Sequence, residues 1–184
     1  FHLTAPAEDG AGAQRVMRAA IDQAGITPDQ VDYINAHGTS TPFNDRIETL
    51  AIKRCFGDHA NRLAISSTKS MIGHTKAAAG AAGLIKAVMA LHHKVLPPTI
   101  KVSRPNEAVA PGDTPFYVNT KKRPWLPTSG HPRRAGVSAF GFGGSNFHCV
   151  VEEYESQAAA VDWDGREQIL AFSGETREAL SAAL

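Results

Sequence analysis

The chain has 184 residues, enough to bury a core of its own, and sets 19 Lys and Arg against 18 Asp and Glu; neither a basic field for nucleic acid nor an acidic tail stands out. Two cysteines without a CxxC pairing support neither a disulfide framework nor a zinc module, and a cytoplasmic setting is expected. The longest apolar region, "AAAGAAGLIKAVMALHH", is broken by Lys86 and closed by two histidines, too short and polar to span a bilayer, so no membrane partner is expected.

In chain order, "DGAGAQRVMRAAIDQAG" spaces Val16, Met17, Ala20, Ile21 and Ala24 along one helical face and stops at Gly25. "VDYINAHG" alternates and is rich in β-branched and aromatic residues, which predicts a strand delivering His37 at its C-terminal end. "DRIETLAIKRCFG" reads as a second helix with Ile47, Leu50, Ala51 and Cys55 inward, capped by Asn44 or Asp45 and stopped by Gly57. "LAISS" is a short strand, and "GHTKAAAGAAGLIKAVMALHHK" one long helix whose Ala and Gly residues admit close packing. "VLPPTIKVSRPNEAVAPGDTP" carries five prolines and reads as irregular. "FYVNT", "AGVSAF" and "FHCVVEEY" read as strands, the last two joined by the turn "GFGGSN". The alternation predicts an α/β layered sheet. After Tyr154 the composition changes: "ESQAAAVDWDG" reads as a linker and "REQILAFSGETREALSAAL" as the start of a further strand and helix. Opening at Phe1 with no initiator Met, the sequence is expected to start inside a longer polypeptide.

Residues that chemistry uses concentrate between His37 and Glu48, around Lys69 and His74, and in the turn from Gly141 to Asn146. A lone histidine at a strand end is more often a turn or core residue than a catalyst. His74 falls at a predicted helix start, where the dipole favours neutral imidazole, a form that donates a hydrogen bond without competing as an acid. Lys69 would bring an ammonium to the same strand-to-helix corner, although a solvated lysine is the ordinary expectation. "GFGGSN" lacks the Lys-Ser/Thr of a P-loop and suits the exposure of backbone N–H groups to an oxyanion. "HGT" without a following Gly-Thr-Ser-Met-Ala serine excludes a subtilisin-like protease. HExxH is absent and His92 and His93 are adjacent on a helix, so no metal site is expected.

Together, "YINAHGTSTPFNDRIE", "SSTKSMIGHTKAAAG" and "AGVSAFGFGGSNFHCVVEE" resemble, in this order and spacing, the C-terminal half of a β-ketoacyl synthase (ketosynthase) of the thiolase superfamily, over roughly Leu3 to Tyr154. The resemblance implies a thiolase-like layered fold of which residues 1–155 are the second αβ half, a mixed sheet with packed helices, and residues 156–184 a linker leading to a following region. It implies decarboxylative Claisen condensation in fatty-acid or polyketide synthesis. An acyl chain is held as a thioester on a cysteine, malonyl-carrier protein loses carbon dioxide, and the enolate attacks the acyl group. Carried over by position, His37 and His74 match the family's histidines, Lys69 its active-site lysine and Glu48 the carboxylate paired with that lysine. Phe142 matches the gating phenylalanine, whose N–H joins an oxyanion hole in the turn of Gly141 and Gly143. Thr39 and Thr41 match the threonines that bind phosphopantetheine. No cofactor is implied beyond that arm, which arrives as substrate on an acyl carrier protein. The implied partners are the N-terminal half carrying the nucleophile, malonyl and acyl thioesters, and a second copy of the whole domain.

The nucleophile's Asp-Thr-Ala-Cys-Ser-type motif is absent here, and Cys55 and Cys149 read as small core residues, so this half is not expected to act alone. "ILAFSGETREALSAAL" is similar to the linker that follows ketosynthases in multidomain (type I) polyketide and polyunsaturated fatty-acid synthases. Two other readings stand beside condensation: a chain-length-factor-like or scaffolding protein, which would have no need of His37, Lys69 and His74, and a malonyl decarboxylase, which would keep both histidines.

Overall fold

Helix α1 (Ala11–Ala24) ends because Gly25 takes φ 65°, a left-handed turn that glycine adopts without steric cost. Ala13, Met17 and Ile21 are its buried residues, while Ala24, expected inward, is exposed. The computed structural model describes residues 8–57, 63–105, 107–109, 115–128 and 130–154, with Thr176 and Ser181 isolated beyond them. The predicted linker and the following strand and helix lie outside the described residues.

Strand β1 (Tyr33–Asn35) is shorter than its alternation suggested, so His37 lies beyond the last paired residue. Helix α2 (Pro42–Phe56) begins earlier than expected. Thr41 is its extended N-cap, Pro42 occupies the first position, where its missing N–H costs nothing, and the Thr41 carbonyl accepts the Asp45 N–H at 3.0 Å. Asn44 and Asp45 are therefore inside the first turn and not caps. Ile47, Ala51, Ile52, Cys55 and Phe56 face the core, and Leu50 is only half-buried.

Strand β2 (Leu63–Ser66) follows, and then the single long helix expected from Gly73 is broken into parts. Short helix α3 (Lys69–Ile72) stops at Gly73, whose φ of 75° departs from helix. A 3₁₀ turn (Lys76–Ala78) leads into α4 (Ala79–His92). The remaining strands are β3 (Val95–Leu96), β4 (Phe116–Val118), β5 (Arg123–Pro124), β6 (Arg134–Phe140) and β7 (Asn146–Glu152). β3 and β5 form a two-stranded antiparallel ribbon that the proline-rich sequence did not announce.

The main sheet runs β4-β2-β1-β6-β7, parallel except for the antiparallel β6–β7 edge. Successive residues of β1 alternate between two cores, as strand geometry dictates. Ile34 joins Leu63, Ile65 and Phe116 under α1 and α2, and Tyr33 joins Ala64, Ala135, Val137 and Trp125 under α4. The parallel strands carry their C-terminal ends to one edge, where open α/β sheets place their ligands. At the opposite end, nearly buried Arg133 and Glu153 pair at 2.6 Å and tie β7 to the start of β6. Cys55 is in the core as expected, but Cys149, on edge strand β7, is exposed, with no covering layer on its side among the described residues. Helix α4 shows an exposed apolar stripe of Leu84, Ile85, Val88 and Met89. Among the described residues no helix is long and apolar enough to cross a membrane.

Candidate active site

The stretch after β1 turns sharply, with Gly38 at φ 40° and Ser40 at φ 61°, and feeds α2. This turn lets the first residues of α2 fold back over the strand end. Glu48, fully enclosed, accepts the His37 N–H with one oxygen and the Gly38 N–H with the other, each at 2.7 Å. Burial pushes its carboxyl up to about 7, against the pull of those two N–H groups. Glu48 thus fixes the main chain that carries His37.

Lys69, first residue of α3, donates to the His37 carbonyl at 2.5 Å and lies 3.3 Å from His37 Nδ1. The direct Glu48–Lys69 pair that the resemblance implied is not formed. Both Glu48 oxygens are taken by backbone donors, and the two charges act on each other only at longer range. Burial lowers the Lys69 ammonium, with Glu48 and Asp45 opposing. Burial likewise brings His37 down to about 4, helped by Lys69 and His74. The Phe140 N–H, from the end of β6, points at the same His37 Nδ1 at 3.3 Å, and its ring packs 5.4 Å from the imidazole. Neither an ammonium nor an amide N–H can accept a hydrogen bond, so Nδ1 is the acceptor and neutral His37 carries its proton on Nε2.

His74 lies between α3 and the 3₁₀ turn. The expectation that it heads a long helix is corrected, since α4 starts only at Ala79 and a helix dipole acts over its first turn. Its tautomer has another source: the Lys76 N–H donates to His74 Nδ1 at 3.0 Å, leaving Nε2–H to donate. The two imidazole rings stand edge to face with centroids 5.8 Å apart.

Thr39 and Thr41 hydrogen-bond each other at 3.0 Å through their exposed hydroxyls. A cavity of about 520 Å³ is lined in part by Thr39, Glu48, Lys69, His74, Lys101 and Arg104. Phe142, 76% exposed, opens the turn after β6. Gly141 closes that turn by donating to the Ser145 carbonyl at 2.8 Å, and Gly143 takes φ 73° within it. Burial holds both thiols above their ordinary range, Cys149 only in part covered, which disfavours the thiolate a nucleophile needs. Among the described residues no three His, Cys, Asp or Glu side chains converge as a metal site would require.

Sequence reading missed several participants. Asp45 lines the cavity. Burial raises its carboxyl, while Asn44 and the N–H groups of Ser40 and Thr39 hold it down. Its place three residues before Glu48 on a helix start was the available signal. Lys86, read as a break in an apolar run, donates to Ser66 Oγ at 3.0 Å, and Ser66 meets the Tyr33 hydroxyl at 2.5 Å. Burial lowers that ammonium to about 8.

Residues 1–103 match the family model of the beta-ketoacyl synthase C-terminal domain, and residues 105–184 that of the ketoacyl-synthetase C-terminal extension. Strands from both segments share the one sheet. A polyunsaturated fatty acid synthase polypeptide of Thraustochytrium sp. is 45% identical over 159 residues, which are 82% of this chain and 6% of that protein. Polyketide synthase GfsA of Streptomyces halstedii is 46% identical over 160 residues, 85% of this chain and 2% of that one. The ketosynthase from module 6 of the bacillaene synthase of Bacillus subtilis 168 superposes with a TM-score of 0.76 at 42% identity, covering 83% of this chain and 28% of the other. The chain therefore spans a small part of the relatives it matches. It shares their thiolase-like α/β architecture and belongs to the β-ketoacyl synthase family, of which it carries the C-terminal domain.

Proposed function

We propose that this chain supplies the malonyl-handling half of a condensing site in a polyketide or polyunsaturated fatty-acid type synthase. One observation carries the reading. Two neighbouring imidazoles, 5.8 Å apart between centroids, each have Nδ1 occupied by a donor, so each keeps an Nε2–H to donate, and His74 lines the cavity that Thr39 also borders. When the malonyl carboxylate leaves as carbon dioxide, its bonding electrons pass into the enolate and negative charge gathers on the thioester oxygen. Two N–H donors aimed at that oxygen stabilise it more than the neutral ground state. The enolate carbon then attacks the acyl thioester, a carbon–carbon bond forms, and the cysteine thiolate departs. The Phe142 N–H receives the tetrahedral oxyanion of that step, and the hydroxyls of Thr39 and Thr41 bind the phosphopantetheine arm delivered by an acyl carrier protein.

The nucleophilic cysteine belongs to an N-terminal half, within residues that the 28% coverage of solved ketosynthases leaves room for. The exposed stripe of α4 is the face that half would cover, since apolar surface of this kind marks an interface. We take residues 1–155 as the ketosynthase portion and 156–184 as the linker beyond it. In the complete synthase His37→Ala should abolish malonyl decarboxylation while acyl loading stays measurable. Decarboxylation persisting at the parent rate would sink the assignment.

A further inference from the structure

Strands β1 and β2 stop pairing at Asn35 and Ser66, yet His37 and Lys69 meet beyond both ends. Lys69 reaches its partner on a chain of four methylenes, which by itself restricts little. The position of its backbone has to be set by something stiffer. Two short side chains cross the gap. Thr68 Oγ1 donates to Asn35 Oδ1 at 2.9 Å, and both residues are buried. Ser67 Oγ donates to the Gly38 carbonyl at 3.0 Å and accepts the Lys69 N–H at 3.3 Å. Asn35 and Gly38 bracket His37 on one strand end, while Ser67 and Thr68 immediately precede Lys69 on the other.

The surroundings are shaped to this close approach. A Cβ on Gly38 would fall 2.8 Å from Ser67 Cβ, and one on Gly83 of α4 would fall 2.6 Å from Asn35 Nδ2. Glycine at both sites leaves room for the crossing. β-branched Thr68 is confined to few χ1 rotamers, so its hydroxyl acts as a rigid spacer.

We propose that Ser67 and Thr68 are positioning residues, a two-hydroxyl clamp that fastens the end of β2 to the end of β1 and so sets Lys69 against His37. The clamp rests on the reading of His37 given above only for its catalytic consequence; its geometric consequence is independent. The groups that face His37 are Lys69 and His74, the Phe140 N–H, and Glu48 at its backbone. Loosening the clamp lets the ammonium drift from Nδ1, and His37 then takes up a proton more readily.

The test uses the complete synthase with Ser67→Ala, with Thr68→Val, which keeps the shape and deletes the hydroxyl, and with Thr68→Ser, which restores it. Carbethoxylation by diethyl pyrocarbonate, which modifies only neutral imidazole, is followed at the His37 peptide by mass spectrometry across pH. Malonyl decarboxylation is followed in parallel. The expected result for Thr68→Val and Ser67→Ala is a half-modification pH raised by about half a unit or more. The decarboxylation kcat falls on the order of tenfold with KM nearly unchanged, and Thr68→Ser recovers both. A purely structural role would lower the melting temperature and leave the His37 half-point in place, and that outcome overturns the clamp. A shifted half-point with an unchanged decarboxylation rate upholds the clamp and overturns the catalytic reading of His37. Should Thr68→Val fail to fold, Ser67→Ala carries the same comparison.

Discussion

Glu48→Gln tests how the site places its protons. Whether ionised or protonated, the carboxyl presents an oxygen to each of two backbone donors at 2.7 Å, whereas a carboxamide offers one acceptor and turns an NH₂ toward the second N–H. The lost bond and stranded donor cost about 1–3 kcal/mol. Against this stands the burial that raises Glu48 from 4.5 to about 7. Between those values the folded state binds the proton that the unfolded chain has released, so stability is full below pH 4.5 and is lost as pH rises through 7. That loss totals about 3 kcal/mol. His37 runs the other way. Its folded value of about 4 lies below 6.5, so its contribution is present above pH 6.5 and is lost as pH falls toward 4. The two slopes oppose each other between pH 4.5 and 6.5, which leaves the parent protein nearly flat there. Glu48→Gln removes one slope and exposes the other. The variant should gain stability as pH rises from 4.5 to 6.5, be clearly weaker than the parent at pH 5, and approach it at pH 8. Urea midpoints read by tryptophan fluorescence, to which buried Trp125 contributes, measure this directly. A variant whose pH dependence parallels the parent's would refute the proton assignment.

Two further outcomes follow from single contacts. Lys69→Met removes a charge 3.3 Å from His37 Nδ1; even fully screened by water that separation is worth about 1.3 kcal/mol, or about one pH unit. The acid limb of His37 carbethoxylation should rise by that amount yet stay below 6.5, since burial is the larger cause, and an unmoved limb would show that the ammonium does not act on the ring. Gly83→Ala drives a methyl to 2.6 Å from Asn35 Nδ2 and 3.3 Å from Val137. It should cost about 1–3 kcal/mol by overpacking, seen as a lower urea midpoint, and a neutral result would mean that α4 can shift outward freely.

Much of this molecule is legible in its residues because periodicity reports burial. The faces of α1 and α2 and the short strands β1 and β2 follow from apolar spacing, and the candidate site follows from three motifs standing at strand ends. The misreadings share a cause. Ala-rich, helix-favouring sequence runs from Lys76 to Leu91 with only Lys86 and two glycines interrupting it, yet Gly73 at φ 75° and Lys76 at φ 54° break the helix, and a left-handed backbone leaves no mark on a hydrophobic pattern. The start of α2 was misplaced because Asn44 and Asp45 are good caps, while Pro42 was a stronger signal of the first helical position. Cys149 alternates like a core residue, but no element among the described residues covers its side of β7. The clamp residues Ser67 and Thr68 were invisible for a different reason: hydroxyls are common in loops, and only the distances to Asn35 and Gly38 distinguish these.

The tautomers explain why the site is suited to holding an oxyanion and poorly suited to relaying protons. A histidine that works as a general base accepts at one nitrogen while a carboxylate steadies the N–H on the other. Here the steadied nitrogen of both rings is the acceptor, and the donors are the Phe140 and Lys76 N–H groups and an ammonium. A proton arriving at Nδ1 would make His37 a cation facing Lys69, with its new Nδ1–H turned against two donors, an arrangement penalised twice, by charge and by hydrogen bonding. Keeping His37 neutral therefore does not depend on any acid being absent; it is built into where β6 ends. At His74 the N–H that occupies Nδ1 comes from Lys76, whose φ of 54° is a conformation that costs a non-glycine residue roughly 1 kcal/mol. That strain sits at the one residue whose N–H must point back at the imidazole, so the backbone itself, and not a network of acidic side chains, determines that both rings donate.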